Sequence, residues 1–578
     1  MKCNILSGLI ILGYISSIRC KIVQIEDGKL EGTLMKTRKG FDVYAFLKIP
    51  FAEPPVGKLR FQPPVPKKKW NEILNATEFG PACMQNANGL TVSEDCLHLN
   101  VFTKDLDPAE LKPVIVYIHY GAFVTGSSVF GCHPGYLLDR DVMLVTINYR
   151  LGPFGFLATG TKDAYGNMGL KDQSLALKWI KKNIDKFGGD PDQVTITGLS
   201  AGGFSVTSHI ASEMSKGLFK RAIALSGAIT WQTGLDRNNI DKAKQMALRL
   251  NCPINLNVLV KCLKTKSAIE IVQVSVDGYF GCLSMPWVPV VEPDLGQERF
   301  FTDDPNKLLK TGKFNRVPVM IGVTADDFIS PVASLLNNEE SLDLLNNNFS
   351  EIASKCFFFK GNGIRTTEEI AKIFKNHYLP YDKIDQTAFN SLSQLSADGI
   401  IGYAVHRFAH YAAQFTDVYY YKFTYMGERS NFHYPRNKPY VAHHGDDINY
   451  ILSSNYPPAI KESDPDNFMV ERLTRIWEQF AKYGNPNNKT DEVLADLNWP
   501  KLDTVDEYFL DNGKNMVEKR GLYLERYHVW DDLENTSRIS YFDNSNVKII
   551  FGVIDKKSDS EIGNLTNVID NFLKESLS

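Results

Sequence analysis

A serine between two glycines at the end of a predicted strand is the feature that most constrains how this chain can fold. Gly198, Ser200 and Gly202 follow the apolar, β-rich run 194–197 and lead into the helix-compatible stretch 203–210. A nucleophile on such a sharp strand-to-helix turn has a strained backbone, so the residues two positions away must be small. The helix that follows offers free N–H groups where negative charge develops. The pattern therefore predicts that Ser200 is a nucleophile.

Strand and helix patterns alternate along the chain. The apolar runs that we interpret as buried strands lie at 114–118, 142–147, 194–197, 222–225, 317–322 and 418–423. Helical spacing of apolar residues occurs between them, at 175–184, 340–349 and 368–378. Strands interleaved with helices imply an α/β fold with a large, mostly parallel sheet covered by helices on both faces. We expect the later helical insertions to cap the carboxyl ends of the strands, where ligands bind in such sheets.

Composition and charge narrow the functional classes. The 578 residues are 43% hydrophobic, and no linker, charge block or internal repeat divides them, which favours one large domain with long insertions. The formal net charge of −3 leaves no basic excess to neutralise phosphates, so we expect no nucleic-acid partner.

The two ends of the chain differ from its body. An apolar stretch between residues 5 and 18 is the length of a secretory leader, and we predict a signal peptide at 1–20. No later run is long and apolar enough to span a membrane, so we expect a soluble, secreted, extracellular protein with its main domain at 21–534. The polar tail 535–578 ends in helical spacing at 562–573, which fits either a helix docked on the body or one that joins copies in a homo-oligomer.

Cysteines and glycosylation acceptors agree with an exported protein. Seven cysteines follow residue 20, and this odd number leaves at least one thiol free or paired between chains. Asn-x-Ser/Thr acceptors, of which we expect some to carry glycan, begin at Asn75, Asn348, Asn488, Asn535 and Asn564.

A nucleophilic serine needs a base, a carboxylate that orients the base, and donors for the oxyanion. On a strand–turn–helix of this type the chain order is Ser, then Asp or Glu, then His. His444 in the polar loop 441–447 is the candidate base, and Asp326 and Asp327 both follow the strand 317–322. The loop 119–123, directly after the strand 114–118, has the position required for an oxyanion loop.

Several longer motifs identify a family resemblance. They are EDCLHLNV at 94–101, NYRLGPFGFL at 148–157, FGGDP at 187–191, and the weaker TRIW at 474–477 and FAKYGNP at 480–486. Over about residues 21–530 the chain resembles the type-B carboxylesterase/cholinesterase family, in the style of secreted insect carboxylesterases. The resemblance implies an α/β-hydrolase fold and cleavage of small-molecule carboxylic esters through an acyl-enzyme, without a cofactor.

The resemblance also implies roles for individual residues. Ser200 matches the nucleophile, Asp327 the acid with Asp326 as the alternative, and His444 the base with His443 as the alternative. The oxyanion N–H groups would come from Gly121, Ala122 and Ala201, and Ser226 is similar to a supporting position near the site.

The remaining expectations concern disulfides and metals. The resemblance implies disulfides Cys83–Cys96 and Cys252–Cys262, and leaves Cys132, Cys282 and Cys356 unassigned. We expect no metal, because the adjacent His443 and His444 rarely point at one ion and no further ligand cluster is evident.

Departures from the family pattern bear on the substrate. Tyr120 stands where the family usually has glycine at the start of the oxyanion loop, and a positive φ there would strain a tyrosine. Leu199 replaces the acidic residue that cholinesterases place before the nucleophile and the glutamine typical of juvenile hormone esterases. No tryptophan lies between Cys83 and Cys96, so the aromatic platform for a quaternary ammonium is missing there. These changes argue against a choline ester.

Two functional hypotheses follow. The first is a serine carboxylesterase that hydrolyses hydrophobic esters, for detoxification, for odorant or pheromone clearance, or for lipid or hormone turnover. The second is a weakly catalytic or non-catalytic relative that sequesters esters or serves in adhesion. Such relatives usually lack the serine or histidine, whereas Ser200, Asp327 and His444 fill all three positions here, so we favour the enzyme.

Overall fold

The computed structural model describes the chain from residue 21 to residue 538, with several short gaps. The described residues are 21–86, 89–129, 131–231, 235, 239–274, 285–379, 383–430, 442–454 and 459–538, the last five of them without their side chains. The predicted leader 1–20 and the tail beyond residue 538, with its predicted helix at 562–573, therefore lie outside the described residues.

The strands of the described residues form one large sheet and two small ribbons. They are β1 Lys21–Gln24, β2 Lys29–Lys36, β3 Asp42–Pro50, β4 Ile73–Asn75, β5 Ala82–Cys83, β6 Val92–Ser93, β7 His98–Thr103, β8 Lys112–Ile118, β9 Met143–Ile147, β10 Ala158–Thr161, β11 Ala164–Tyr165, β12 Gly189–Leu199, β13 Arg221–Leu225, β14 Val319–Thr324, β15 Val418–Phe423, β16 Tyr508–Asn512 and β17 Met516–Arg520.

The large sheet is parallel at its centre and antiparallel at its edges. Its strand order is β1-β2-β3-β7-β9-β8-β12-β13-β14-β15-β16-β17, and β4 pairs with β2. All pairs from β9 to β16 are parallel. The central strands β9, β13 and β14 are buried along their whole length, as expected of parallel strands that are covered on both faces.

The helices of the described residues cover this sheet and fill the long insertions. They are α1 Gly152–Phe156, α2 Met168–Asn183, α3 Ala201–Ala211, α4 Asn239–Arg249, α5 Leu256–Leu263, α6 Ala268–Gln273, α7 Pro305–Lys310, α8 Ile329–Leu336, α9 Glu339–Asn347, α10 Phe349–Cys356, α11 Thr367–Tyr378, α12 Phe389–Ala397, α13 Tyr403–Ala413, α14 Asn467–Tyr483 and α15 Leu524–Arg538. A π-helical turn, Asp398–Gly402, joins α12 to α13.

Side chains alternate between the two faces of the sheet along each strand, so apolar residues form a core on each face. Val194 and Ile196 of β12 pack in the cluster that includes α2, α3 and α13. Leu199 and the neighbouring Ile223 pack on the other face, with α14. The helices from α8 to α12 bury their apolar residues in a separate cluster. This architecture confirms the predicted fold class.

One helical prediction needs correction. The pattern at 340–349 predicts a single helix, but α9 ends at Asn347 and α10 begins at Phe349. Asn348 between them has φ −133° and ψ 47°, outside the helical region. Asparagine bonds readily to nearby backbone, which favours such breaks.

The cysteines are mostly paired. Disulfides join Cys83 to Cys96 and Cys252 to Cys262. Cys356 is also disulfide-bonded, and Cys132 is a buried free thiol. Cys282 lies outside the described residues.

The predicted glycosylation sites differ in accessibility. Asn75 and Asn348 are exposed, whereas Asn488 is half-buried and its amide donates a hydrogen bond to Gln479 Oε1 at 3.2 Å. The side chain of Asn535 and all of Asn564 lie outside the described residues. The helix α15 continues across the predicted domain boundary at residue 534.

None of the helices in the described parts of the chain combines the length and the apolar composition that a membrane span requires.

Buried histidines should make the fold sensitive to acid. Burial lowers the pKa of His98 and His119 to about 4 and that of His209 to about 3, from an ordinary 6.5. Below about pH 6.5 the unfolded chain binds protons on these rings that the folded chain does not bind, so acid favours unfolding. We expect the free energy of unfolding to fall from about pH 6.5 towards pH 4.

Urea unfolding at a series of pH values checks this expectation. Replacement of His209 by Gln should flatten the pH dependence by about 1.4 kcal/mol per pH unit where that ring titrates only in the unfolded chain. An unchanged slope would show that His209 is already protonated in the folded protein.

Candidate active site

The turn after β12 has the strained geometry that its sequence predicts. Ser200 has φ 56° and ψ −121°, and α3 begins at the next residue. A Cβ on Gly198 would lie 2.5 Å from the carbonyl carbon of Gly202, and one on Gly202 would lie 2.1 Å from the Ile118 oxygen. Backbone atoms thus occupy the space that side chains would need, which explains both glycines.

Neighbouring strands hold Ser200 at the edge of the sheet. The Ser200 N–H donates to the Leu225 carbonyl oxygen at 2.9 Å, and the Ser200 carbonyl oxygen accepts from the Phe204 N–H at 2.8 Å. A Cβ on Gly227 would lie 2.2 Å from the Ser200 oxygen. The turn is therefore fixed by its backbone, while the Ser200 side chain stays partly exposed.

The loop after β8, residues 119–126, supplies N–H groups beside this turn, and we call it the donor loop. Gly121, Ala122 and Phe123 have φ values of 119°, 55° and 61°. In the described structure, the N–H groups of Gly121, Ala122 and Ala201 donate no hydrogen bond. Ala201 is the first residue of α3, where N–H groups have no partner within the helix and the helix dipole favours negative charge.

Tyr120 does not take the left-handed conformation that would strain it. Positive φ begins at the next residue, Gly121. The tyrosine ring is partly buried against the core cluster that contains α14, and burial raises the pKa of its hydroxyl to about 12. The departure from the family pattern therefore leaves the backbone of the donor loop unstrained at this position.

One of the two candidate acids is buried and fully hydrogen-bonded. Asp327 is 1% exposed. Its Oδ2 accepts from Ser226 Oγ at 2.9 Å and from the Thr324 N–H at 3.1 Å, and its Oδ1 lies 2.6 Å from His444 Nδ1. Asp326 instead contacts the backbone of Ala442, with its N–H donating at 2.8 Å and its Oδ2 accepting at 3.3 Å.

The two candidate bases face different partners. The His444 ring lies on Asp327 and against the Phe328 ring, with a 4.2 Å centroid distance. His443 Nε2 lies 3.2 Å from Ser330 Oγ, and burial lowers the pKa of His443 to about 4. The structure therefore pairs Asp327 with His444 and directs His443 elsewhere.

The loop that carries His444 packs on the residue before the serine. A Cβ on Gly445 would lie 2.8 Å from Leu199 Cδ2. The structure forms the Asp327–His444 hydrogen bond but none between Ser200 Oγ and His444. Catalytic hydrogen bonds are often long in unliganded enzymes and tighten when substrate binds.

A small apolar cavity lies beside α3, the helix that begins directly after Ser200. It has a volume of about 10 Å³, which is room for roughly one water molecule. It is lined by Phe123, Phe204, Ile229, Trp231, Leu235, Met285, Val288 and Pro289. Two of its lining residues are close to Ser200 in the chain or in the fold: Phe123 lies in the loop after β8, and Phe204 lies one helical turn after Ser200.

The described residues contain no group of three or more His, Cys, Asp or Glu side chains that could hold a metal ion.

Comparison with known proteins decides the family. The sequence profile of the carboxylesterase family matches residues 19–530. The chain belongs to the carboxylesterase family. It is a carboxylic ester hydrolase, as the family match and the esterase relatives establish.

Individual relatives cover most of this carboxylesterase. It is 36% identical to Esterase FE4 of Myzus persicae over 495 residues, which is 82% of this chain and 86% of the relative. It is 33% identical to the juvenile hormone esterase of Tribolium castaneum over 83% of this chain and 86% of the relative. The acetylcholinesterase of Bungarus fasciatus is 33% identical over 83% of this chain and 80% of its own length.

The structure of this carboxylesterase shows two residues near the site that sequence reasoning missed. Gln85 clamps the donor loop, because its Nε2 donates to the Gly126 oxygen at 2.7 Å and its Oε1 accepts from the Gly126 N–H at 2.9 Å. Asp447 is a buried carboxyl that accepts a hydrogen bond from the Tyr421 hydroxyl at 2.9 Å, and burial raises its pKa to about 7. No local sequence signal marks either residue, because both roles depend on distant partners.

The close backbone approach at the turn gives a steric prediction. Replacement of Gly202 by Ala should lower the free energy of unfolding by about 3 kcal/mol, because the new Cβ meets a backbone oxygen that cannot rotate away. Esterase activity should fall as well, because the new Cβ would push α3 away from the end of β8 and the donor loop.

Thermal unfolding and ester turnover measure both effects. Gly361→Ala is the matched control, since its Cβ would lie 3.0 Å from the nearest atom, and it should cost less stability. Equal losses in the two variants would refute the steric argument.

Proposed function

We propose that this carboxylesterase hydrolyses hydrophobic carboxylic esters through an acyl-enzyme on Ser200. The observation that carries the proposal is the 2.6 Å contact between His444 Nδ1 and the buried carboxylate of Asp327. With the proton on Nδ1 donated to Asp327, His444 Nε2 keeps a lone pair and can act as a base.

The mechanism uses groups of this chain alone. His444 Nε2 takes the Ser200 proton as Oγ attacks the ester carbonyl carbon, and the resulting oxyanion accepts hydrogen bonds from Gly121, Ala122 and Ala201. Collapse breaks the bond to the alcohol, which receives the proton from His444 and leaves. Water then attacks the acyl-enzyme, with His444 again taking and returning a proton, and the acid departs.

The supporting residues keep this machinery in place. Ser226 and the Thr324 N–H hold the carboxylate of Asp327, so that its Oδ1 faces the imidazole. The Asp327 carboxylate stabilises the imidazolium that forms during each proton transfer. Strained conformations at Ser200 and Ala122 belong to the same preorganised site.

The pocket supports a hydrophobic substrate. Its lining is apolar, and Trp231 and Phe204 pack edge to face with ring centroids 5.1 Å apart. Leu199 provides no charge before the nucleophile. Leu199 therefore offers no negative charge to a cationic choline group, whereas an apolar acyl or alcohol group gains from burial.

We also propose that the protein is secreted after removal of residues 1–20. Its disulfides are typical of exported proteins. Asn75 and Asn348 are the best supported glycosylation sites among the described acceptors, because their side chains are exposed.

Loss of the nucleophile tests the proposal most directly. Ser200→Ala should lower kcat on short-chain p-nitrophenyl esters by about 10⁴-fold or more, because no other group forms the acyl-enzyme. An organophosphate should label the wild type and not the variant. Turnover that survives the substitution would remove this mechanism, and a wild type with neither label nor turnover would favour an ester-binding protein.

The adjacent aspartates provide a matched pair of variants. Asp327→Asn should lower kcat by about 10⁴-fold, because the amide leaves the imidazole in the wrong tautomer. Asp326→Asn should have a much smaller effect, since its carboxylate accepts a hydrogen bond from the Ala442 N–H, whereas Asp327 contacts the His444 ring. Kinetics on a soluble ester measure both variants, and a larger loss in Asp326→Asn would exchange the two roles.

A further inference from the structure

A second surface of the molecule combines exposed aliphatic side chains with an excess of positive charge. It is the outer face of the segment 239–273, which comprises α4, α5 and α6, and we call it the α4–α6 face. Its aliphatic residues are Leu248, Ile254, Val258 and Ile269, which are 62%, 49%, 42% and 62% exposed. Its basic residues are Lys242, Lys244, Arg249, Lys261, Lys264 and Lys266.

The three helices form one module with a clear inner side. Met246 of α4, Leu263 of α5 and Ile271 of α6 are buried in the same core cluster. The Cys252–Cys262 disulfide ties the end of α4 to α5, and Arg249 Nη1 donates to the Val274 oxygen at 3.2 Å after α6. The exposed aliphatic residues are therefore not needed for packing of the module.

The charge of this module is opposite to that of the chain. Six basic residues face two acids, Asp241 and Glu270, within a chain whose formal net charge is −3. Lys244, Lys261 and Lys266 form no ion pair with any described residue. Some surface lysines elsewhere are paired, for example Lys181 with Asp192 and Lys307 with Asp303. These three lysines therefore present positive charge that no described acid meets at ion-pair distance.

We infer that the α4–α6 face binds an anionic phospholipid surface. Exposed aliphatic side chains enter the boundary between headgroups and acyl chains, and lysines beside them attract anionic headgroups. Val258 and Lys261 are spaced by three residues on α5, so one helix face presents both kinds of group.

Other partners fit these features less well. A two-fold contact between copies would place the same basic surface against itself, which costs energy through repulsion. Nucleic acid would leave the aliphatic residues without a favourable contact, and the segment 239–273 contains no aromatic residue on which bases could stack.

Membrane contact would place the enzyme where hydrophobic esters are dissolved. The binding itself does not depend on the proposed catalytic mechanism. Failure of vesicle binding and failure of ester turnover are separate results, because each is measured without the other.

Vesicle sedimentation tests the inference with the full-length secreted protein. The wild type should bind vesicles of phosphatidylcholine with one third phosphatidylglycerol at low salt. It should bind vesicles of phosphatidylcholine alone at least about tenfold more weakly, and added salt should weaken the binding to the anionic vesicles.

Two double variants separate the apolar and charged contributions. Leu248→Ser with Ile269→Ser, and Lys261→Glu with Lys266→Glu, should each weaken binding to the anionic vesicles by about tenfold or more. The matched control is Val505→Ser with Lys514→Glu, which changes an 89% exposed valine and an exposed lysine outside the module. The control should bind as the wild type does.

Folding and self-association are measured on the same samples. Thermal unfolding and turnover of soluble p-nitrophenyl acetate should be unchanged in both double variants of the α4–α6 face. The inference is overturned if the wild type fails to bind anionic vesicles, or if the control loses as much binding as these two double variants. It is also overturned if light scattering shows a dimer that the Leu248→Ser, Ile269→Ser variant abolishes, since a second copy would then cover this face.

Discussion

The close approach of backbone around Ser200 is the constraint on which the rest of the site depends. Without side chains at Gly198, Gly202 and Gly227, the end of β12, the start of α3 and the end of β13 come within contact distance of one another. This packing holds the serine in a left-handed conformation and places the free N–H of Ala201 next to the loop after β8. The parallel sheet supplies the rigid frame, since β8, β12 and β13 are adjacent in it.

The contact between the candidate acid and the candidate base depends on a second local arrangement, at the end of β14. A buried carboxylate is costly unless it is hydrogen-bonded, and Asp327 has Ser226, the Thr324 N–H and His444 as partners. After this strand, the neighbouring side chains of Asp326 and Asp327 contact different partners. Asp326 joins the loop that carries the histidine, while Asp327 holds the ring itself.

The insertions outside the central sheet form the apolar cavity and the basic surface of this carboxylesterase. Trp231, Met285, Val288 and Pro289 line the small apolar cavity beside α3, and Tyr120 packs into the core instead of straining the loop after β8. On the surface, the α4–α6 face concentrates positive charge in an otherwise acidic chain. The apolar cavity and the basic surface thus lie in segments that the central sheet does not dictate.

The sequence by itself determined the elements whose cause is local. Apolar, β-branched runs predicted the central strands, and the spacing of glycines around Ser200 predicted the turn, because both depend on residues a few positions apart. The long motifs identified the family. Only the tertiary structure showed that Asp327 contacts His444 while Asp326 and His443 face other partners, because adjacent side chains point in different directions once their loops are placed. It also showed the roles of Gln85 and Asp447, whose partners are far away in the chain and leave no local signal.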